Sequence, residues 1–147
     1  MTQQRWHQQQ LRVRYQETDQ MGVVYHANYL TWFEIGRTEL IRSLGYPYRK
    51  IEEMGLLLPV TEADLKFKKP ARYDDLVCIN TRVSQISSVR MQFAYEIRRI
   101  NDDLNEEILV TGTSGHVWVN PSWRPVRIEK EAPELWQLIA KYTEDGG

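Results

Sequence analysis

One change of period does most to restrict the folds open to this chain. From Ala27 to Leu44 the apolar residues recur at helical spacing, with Leu30, Phe33, Leu40, Ile41 and Leu44 on one face beside Arg37. Tyr29, Trp32 and Ile35 widen that surface, so the helix is apolar on most sides and suits a core rather than a surface. Gly45 follows as a C-terminal stop. After "GYPY" and a short helical piece at Arg49–Met54 closed by Gly55, the chain up to about Ile128 reads as strands with a period of two. One buried helix and one set of strands satisfy each other if the strands make a single sheet that curls around the helix.

The strands follow from alternation. Over residues 11–17, Leu11, Val13 and Tyr15 oppose Arg12, Arg14 and Gln16. Over 57–69, Thr61, Ala63, Leu65 and Phe67 oppose Glu62, Asp64, Lys66 and Lys68, and Pro70 with "RYDD" ends the run. Val77, Ile79 and Val83 mark a strand over 76–86, and Val89, Met91, Phe93, Tyr95 and Ile97 mark one over 89–100. A last strand runs over 108–120, broken by Pro121 and Pro125. The tight polar turns between the later strands require antiparallel neighbours. A closing helix over 131–142 carries Leu135, Leu138, Ile139 and Tyr142 on one stripe, with Pro133 in its first turn. The expectation is an α+β domain: a sheet of about five antiparallel strands around a long central helix, with a C-terminal helix. It is one domain over residues 1–147, with a polar leader at 1–9 and a tail at 143–147.

Composition narrows the function classes. The chain has 147 residues, 41% hydrophobic and 27% charged, ordinary for a globular domain with its own core. A net charge of −1 gives no global basic field for nucleic acid or an anionic membrane. Cys78 is the sole cysteine, so no internal disulfide forms, and no Cys/His cluster has zinc spacing. "MTQQRWHQQQ" lacks the apolar centre of a signal peptide, and no apolar run has membrane-spanning length. A reduced, cytoplasmic protein is expected.

The stretch "VRYQETDQMGVVYHANYLTWFEIGR", residues 13–37, resembles the signature of the 4-hydroxybenzoyl-CoA thioesterase-like branch of the hotdog-fold acyl-CoA thioesterases. "FKKPARYDDLVCI" and "SSVRMQFAYEI" are similar to later strands of that family, and the likeness spans roughly residues 10–140. The resemblance implies a sheet wrapped around a helix, assembled as dimers or dimers of dimers (homotetramers) with active sites at subunit interfaces. It implies hydrolysis of acyl- or aroyl-CoA to a carboxylate and free CoA, with no metal and no cofactor beyond the CoA of the substrate.

It also implies roles for particular residues. Asp19 stands where the family's aspartate attacks the thioester carbonyl or activates a water; a carboxylate in open surroundings is ionised at neutral pH and suits either task. Unpaired amides at the start of the long helix, with the positive end of its dipole, suit a developing oxyanion. The resemblance places the key amide at about Tyr25. His26 is expected to assist, by hydrogen bonding or by moving a proton to the leaving thiolate. Gly22 permits a close backbone path to the substrate, and Asn28 caps the helix or orients Asp19. On periodicity alone, the favoured reading of "TDQMG" is an ordinary turn between strand and helix.

CoA phosphates call for basic groups. Lys66 and Lys68 on one strand and Arg90 on another are the candidates, with Lys69, Arg72, Arg98 and Arg99 nearby, although alternation alone also yields a charged, solvated strand face. Glu34 and Glu39 read as structural, paired with Arg37 or Arg42 at helical spacing. His7 and His116 read as structural, and Trp32, Trp118 and Trp123 as core. Two alternatives stay open: a hydratase or dehydratase of acyl thioesters on the same fold, and a non-catalytic acyl-CoA-binding module.

Overall fold

A computed structural model describes residues 6–146 of the chain. Its elements run β1 (His7–Arg12), a single 3-10 turn (Tyr15–Glu17), α1 (Asn28–Ser43), α2 (Tyr48–Glu53), β2 (Val60–Phe67), β3 (Leu76–Ile86), β4 (Arg90–Ile100), β5 (Glu106–Val117), α3 (Ile128–Glu131) and α4 (Pro133–Gly146). The strands form one antiparallel sheet in the order β1-β3-β4-β5-β2. Hairpins join β3, β4 and β5; β1 and β2 close the two edges. The α+β expectation, with five strands and a long central helix, is the observed fold.

The sheet packs on α1 because both faces are apolar at the right period. Trp32, Phe33, Leu40 and Ile41 of α1 are fully buried against Val77, Ile79, Phe93, Tyr95 and Ile97 of the sheet. Phe33 stacks on Tyr95 with ring centroids 3.9 Å apart. Gly36 sets how near the helix lies: a Cβ there would strike the Thr81 side chain and come within 2.8 Å of Ile79 Cγ2. The helix and β3 therefore approach at backbone distance. Leu135, Ile139 and Tyr142 of α4 extend the same core, and Tyr46 Oη donates to Glu134 Oε2 at 3.1 Å, tying the α1–α2 connection to α4.

Four expectations change. The first strand is not 11–17 but His7–Arg12, so residues 7–9 of the expected leader belong to β1, paired with β3 from His7↔Thr81 to Arg12↔Leu76. The run of glutamines carries no apolar alternation, and backbone pairing alone makes it a strand. Residues 1–5 of the leader lie outside the described residues. Tyr15 sits in the 3-10 turn and is exposed rather than in register with Val13. The helix expected at 131–142 is two, because the chain breaks at Ala132 and Pro133 opens α4, where its missing N–H costs nothing. α4 continues to Gly146, so the tail expected from 143 is helical, and residue 147 lies outside the described residues.

The fourth change concerns β2. It is shorter than 57–69, and both of its faces are open: Val60, Ala63 and Phe67 are exposed and only Leu65 is half-buried. The apolar alternation is real, but nothing in the described chain covers this edge.

Candidate active site

The chain leaves β1 and turns toward α1 through a knot of short hydrogen bonds. Asp19 N–H donates to Val23 O at 2.9 Å and Gly22 N–H to Asp19 O at 3.0 Å, closing a tight turn. Gly22 has φ +79°, the left-handed backbone that an L side chain adopts reluctantly. Met21 N–H donates to Asp19 Oδ1 at 2.9 Å, which fixes one carboxylate oxygen in an Asx turn. Among the described residues, none hydrogen-bonds the other oxygen.

Glu17 organises what lies behind this turn. Its side chain is buried, accepting from Trp32 Nε1 at 2.8 Å and from Arg14 N–H at 2.8 Å. Its carbonyl accepts from Tyr25 N–H at 2.9 Å and from Asn28 Nδ2 at 2.8 Å. One residue thus holds the body of α1 through its side chain and the start of α1 through its main chain.

These bonds correct two expectations. The Tyr25 amide is already spent on Glu17, so it is not the free donor for an oxyanion. The Asn28 side chain neither caps α1 nor meets Asp19; it ties the first helical residue to the same carbonyl. Beyond Tyr25, the amides of Asn28, Tyr29 and Leu30 go to Tyr25 O, His26 O and Ala27 O at 2.9, 3.2 and 3.2 Å. Among the described residues, no acceptor takes the amides of His26 and Ala27. The unpaired donors at this helix mouth are those two, one and two positions beyond the expected one.

Asp19 and His26 border one open cleft of about 290 Å³, with Tyr29, Phe67, Lys68 and Pro70 completing its walls. The His26 ring lies 4.6 Å from that of Tyr25 and meets Phe67 edge-on at 6.4 Å. Tyr29 is buried, and its Oη accepts the Ala71 amide at 3.1 Å, which pins the segment after β2 to the helix. Burial holds the Tyr29 phenol above its ordinary range, so it stays protonated. The arrangement can present a carboxylate and free amides to one carbonyl, the requirement for acyl transfer to water.

The basic candidates divide. Lys68 lines the cleft. Lys66 does not, and Gly22 shapes the turn without lining it. Arg90 sits beside the Glu62–His116 end of the sheet in a separate depression; Phe67 and Val60 are seven residues apart on β2, about 23 Å at strand rise. Arg90 therefore does not serve the Asp19 cleft of its own chain. Lys69 pairs with Glu107 at 3.0 Å, Arg99 with Asp75 at 2.9 Å and Glu107 at 3.4 Å, and Arg98 with Glu96. Hydrogen bonds from Lys69, then Asn101 and Arg99, draw the Glu107 carboxyl down to about 2. Arg99 Nη1 also donates to Pro70 O at 3.1 Å, bracing the cleft wall.

The structural residues fall mostly as expected. Glu39 pairs with Arg42 at 3.2 Å, but Glu34 forms no such pair with Arg37. His116 is buried between Ser114 Oγ and Leu58 O, and burial followed by the nearby Arg37 charge pushes it down to about 4. His7 is half-buried in β1, and burial lowers its pKa. Trp32 and Trp118 are core, whereas Trp123 is 66% exposed with φ 62° in the turn after β5. Among the described residues, no group of three or more His, Cys, Asp or Glu is arranged to hold a metal, and no helix is long and apolar enough to cross a membrane.

A sheet curled on one buried helix, with a turn carboxylate sharing a cleft with the start of that helix, defines a hotdog thioester hydrolase. The chain belongs to the Thioesterase superfamily, whose sequence model matches residues 21–106. It is 37% identical over 126 residues to a Bacillus subtilis (strain 168) protein named "Putative acyl-CoA thioesterase YneP", covering 85% of this chain and 88% of that one. It is 33% identical over 102 residues to the acyl-CoA thioester hydrolase YbgC of Escherichia coli O157:H7, covering 68% and 76%. Among solved structures, a DHNA-CoA thioesterase from Staphylococcus aureus superposes with a TM-score of 0.87 at 31% identity, covering 95% of this chain and 91% of that one. The 4-hydroxybenzoyl-CoA thioesterase of Pseudomonas sp. strain CBS-3, at 19% identity, a TM-score of 0.78 and coverage of 89% and 99%, shares the fold.

Proposed function

We infer that this protein hydrolyses the thioester of acyl- or aroyl-CoA. The observation that carries the reading is the cleft shared by Asp19 and His26 at the helix mouth; Glu17 takes the Tyr25 amide, and among the described residues those of His26 and Ala27 have no acceptor. In the proposed reaction the carbonyl oxygen faces these amides, and the Asp19 carboxylate either adds to the carbonyl carbon or draws a proton from a water that does. The tetrahedral centre collapses with cleavage of the C–S bond; where Asp19 itself has added, a water then cleaves the acyl–Asp19 anhydride and restores the carboxylate. In both routes the attacking water gives up a proton that passes, through Asp19 or the His26 imidazole, to the thiolate, and the acid product leaves as carboxylate. Protein groups and water suffice for each step. A well-aimed amide contributes about 2.7–4 kcal/mol to such a transition state.

The assembly belongs to the same proposal. β2 is an uncovered edge with exposed Val60, Ala63 and Phe67, beside the exposed Leu30 of α1. Such an edge is a template for strand pairing, and two copies joined antiparallel through β2 form a closed, two-fold dimer. The Phe67 end of one copy, with its Asp19 cleft, then lies toward the Val60 end of the other, which makes the site interfacial. A dimer of dimers needs a further surface.

The test is thiol release from a panel of short, long and aromatic acyl-CoAs, run on the wild type and on Asp19→Asn, with hydration of an enoyl thioester as the control. The reading requires thiol release that depends on Asp19. Turnover of the enoyl thioester without thiol release, or equal rates in the variant, overturns it.

A further inference from the structure

A second cleft, of about 330 Å³, lies farther along the same helix between α1 and the free edge β2. Leu30, Phe33, Val60 and Ala63 give it apolar walls, while Arg37 and Ser114 supply polar groups and Glu34 an acid. Arg37 is half-buried. Among the described residues, no carboxylate lies within ion-pair distance of it.

What surrounds the guanidinium is neutral. A chain of hydrogen bonds runs from Tyr95 Oη to Ser114 Oγ at 2.7 Å, on to His116 Nε2 at 2.8 Å, and from His116 Nδ1 to Leu58 O at 3.2 Å. The end at Leu58 fixes the direction. A carbonyl only accepts, so Nδ1 carries the imidazole proton and Nε2 accepts from Ser114, which in turn accepts from Tyr95. Tyr95 is left to offer Arg37 a lone pair, across a long 3.5 Å contact. The other phenol near Arg37 is that of Tyr48, whose buried hydroxyl lies within reach of Arg37 and Thr38 but makes no well-aligned hydrogen bond to either. Glu34 is the acid nearest on the helix, but it is exposed, where water screens its charge. A partly desolvated cation without a counter-charge, at one end of an apolar slot, is a poor structural element and a good anion receptor.

We propose that Arg37 binds an anionic group at the far end of the acyl chain, so that the preferred substrates are acyl-CoAs whose acyl group ends in a carboxylate. The apolar stem lies along Leu30, Phe33, Val60 and Ala63. From His26 to Arg37 the helix advances about 16 Å at ~1.5 Å per residue, which suits a chain of medium length within one protomer. The inference rests on the thioesterase reading only for the identity of the other end of the ligand.

The experiment is equilibrium binding of non-hydrolysable S-alkyl-CoA thioethers to the intact protein, in matched lengths ending in methyl, hydroxyl or carboxylate. The wild type binds the carboxylate series about tenfold or more tightly than the methyl series at its best length. Arg37→Met abolishes that preference while still binding the methyl series, Arg37→Lys keeps part of it, and Glu34→Gln enlarges it. Equal binding of the three series, a preference that survives in Arg37→Met, or no binding of any thioether overturns the proposal. If Arg37→Met does not fold by circular dichroism, Arg37→Lys and the comparison of end groups on the wild type decide. Binding needs no turnover, so a failure here is separate from a failure of thiol release.

Discussion

Glu17 Oε2 accepts from Trp32 Nε1 at 2.8 Å inside the core, while the carbonyl of the same residue accepts from Tyr25 N–H at 2.9 Å at the helix mouth. Stability and site geometry meet at one residue. Glu17→Ala leaves a buried indole N–H without a partner and lowers unfolding free energy by about 1–3 kcal/mol. Glu17→Gln keeps one acceptor, loses less stability, and lowers kcat more than it raises KM. Urea unfolding beside steady-state kinetics checks both; a kcat that follows only the folded fraction assigns Glu17 to stability alone.

Asp19→Asn keeps an acceptor for the Met21 amide, so the turn persists and stability moves by no more than about 0.5 kcal/mol. The rate of thiol release falls by roughly 10²–10⁴. Stopped assays on protein of verified melting temperature measure it.

Gly36→Ala places a methyl group against Thr81 and Ile79, where helix and sheet already touch. Overpacking of this kind costs about 1–3 kcal/mol. The control is Gly22→Ala, where a Cβ meets nothing within 4 Å. Its penalty comes from the positive φ alone, and it falls beside the turn that holds Asp19. Denaturant midpoints at constant m-value distinguish the two effects.

His116 gives the fold an acid limit. Its ordinary value of 6.5 is depressed to about 4 in the folded state, first by burial and then by Arg37. Below 6.5 the unfolded chain takes up a proton that the folded chain refuses. The contribution is therefore intact above 6.5 and is lost as pH falls toward 4, by an amount on the order of 3 kcal/mol. Thermal melts between pH 7 and pH 4 show this slope, and His116→Gln flattens it; a slope unchanged in that variant removes His116 as the cause.

Ala63→Lys sets a charge in the middle of β2, where pairing of two edges would bury it. The expected outcome is a monomer by light scattering, with thiol release reduced because the proposed site is interfacial. A variant that stays dimeric shows that the copies meet elsewhere.

Much of the architecture was legible in the sequence because it is written in period. The apolar surface around Trp32 and Phe33 announced a buried helix, and the alternation from Val77 to Ile97 announced the sheet. The edges were less legible. His7–Gln10 has no apolar rhythm, so β1 emerges only from pairing with β3. β2 does alternate, but Ala63 and Phe67 stay exposed, Phe67 touching only the rings of His26 and Tyr29 at its rim. Within the candidate site, the motif singles out Asp19, His26 and the turn at Gly22. It does not show which amide stays free, because the fate of Tyr25 N–H depends on where the Glu17 carbonyl comes to rest. Glu17 itself had a faint signal: an acid three residues after Arg14, next to the turn and ahead of a helix with a tryptophan.

The pairing of Lys69 and Arg99 with Glu107 and Asp75 bears on how a polyanionic substrate arrives. Paired cations present little free positive charge to an approaching anion, and of the two lysines on the cleft wall only Lys68 is without an ion pair among the described residues. In the proposed reaction, encounter with CoA would then rest on few unpaired charges and respond weakly to added salt, leaving discrimination among substrates to the acyl end.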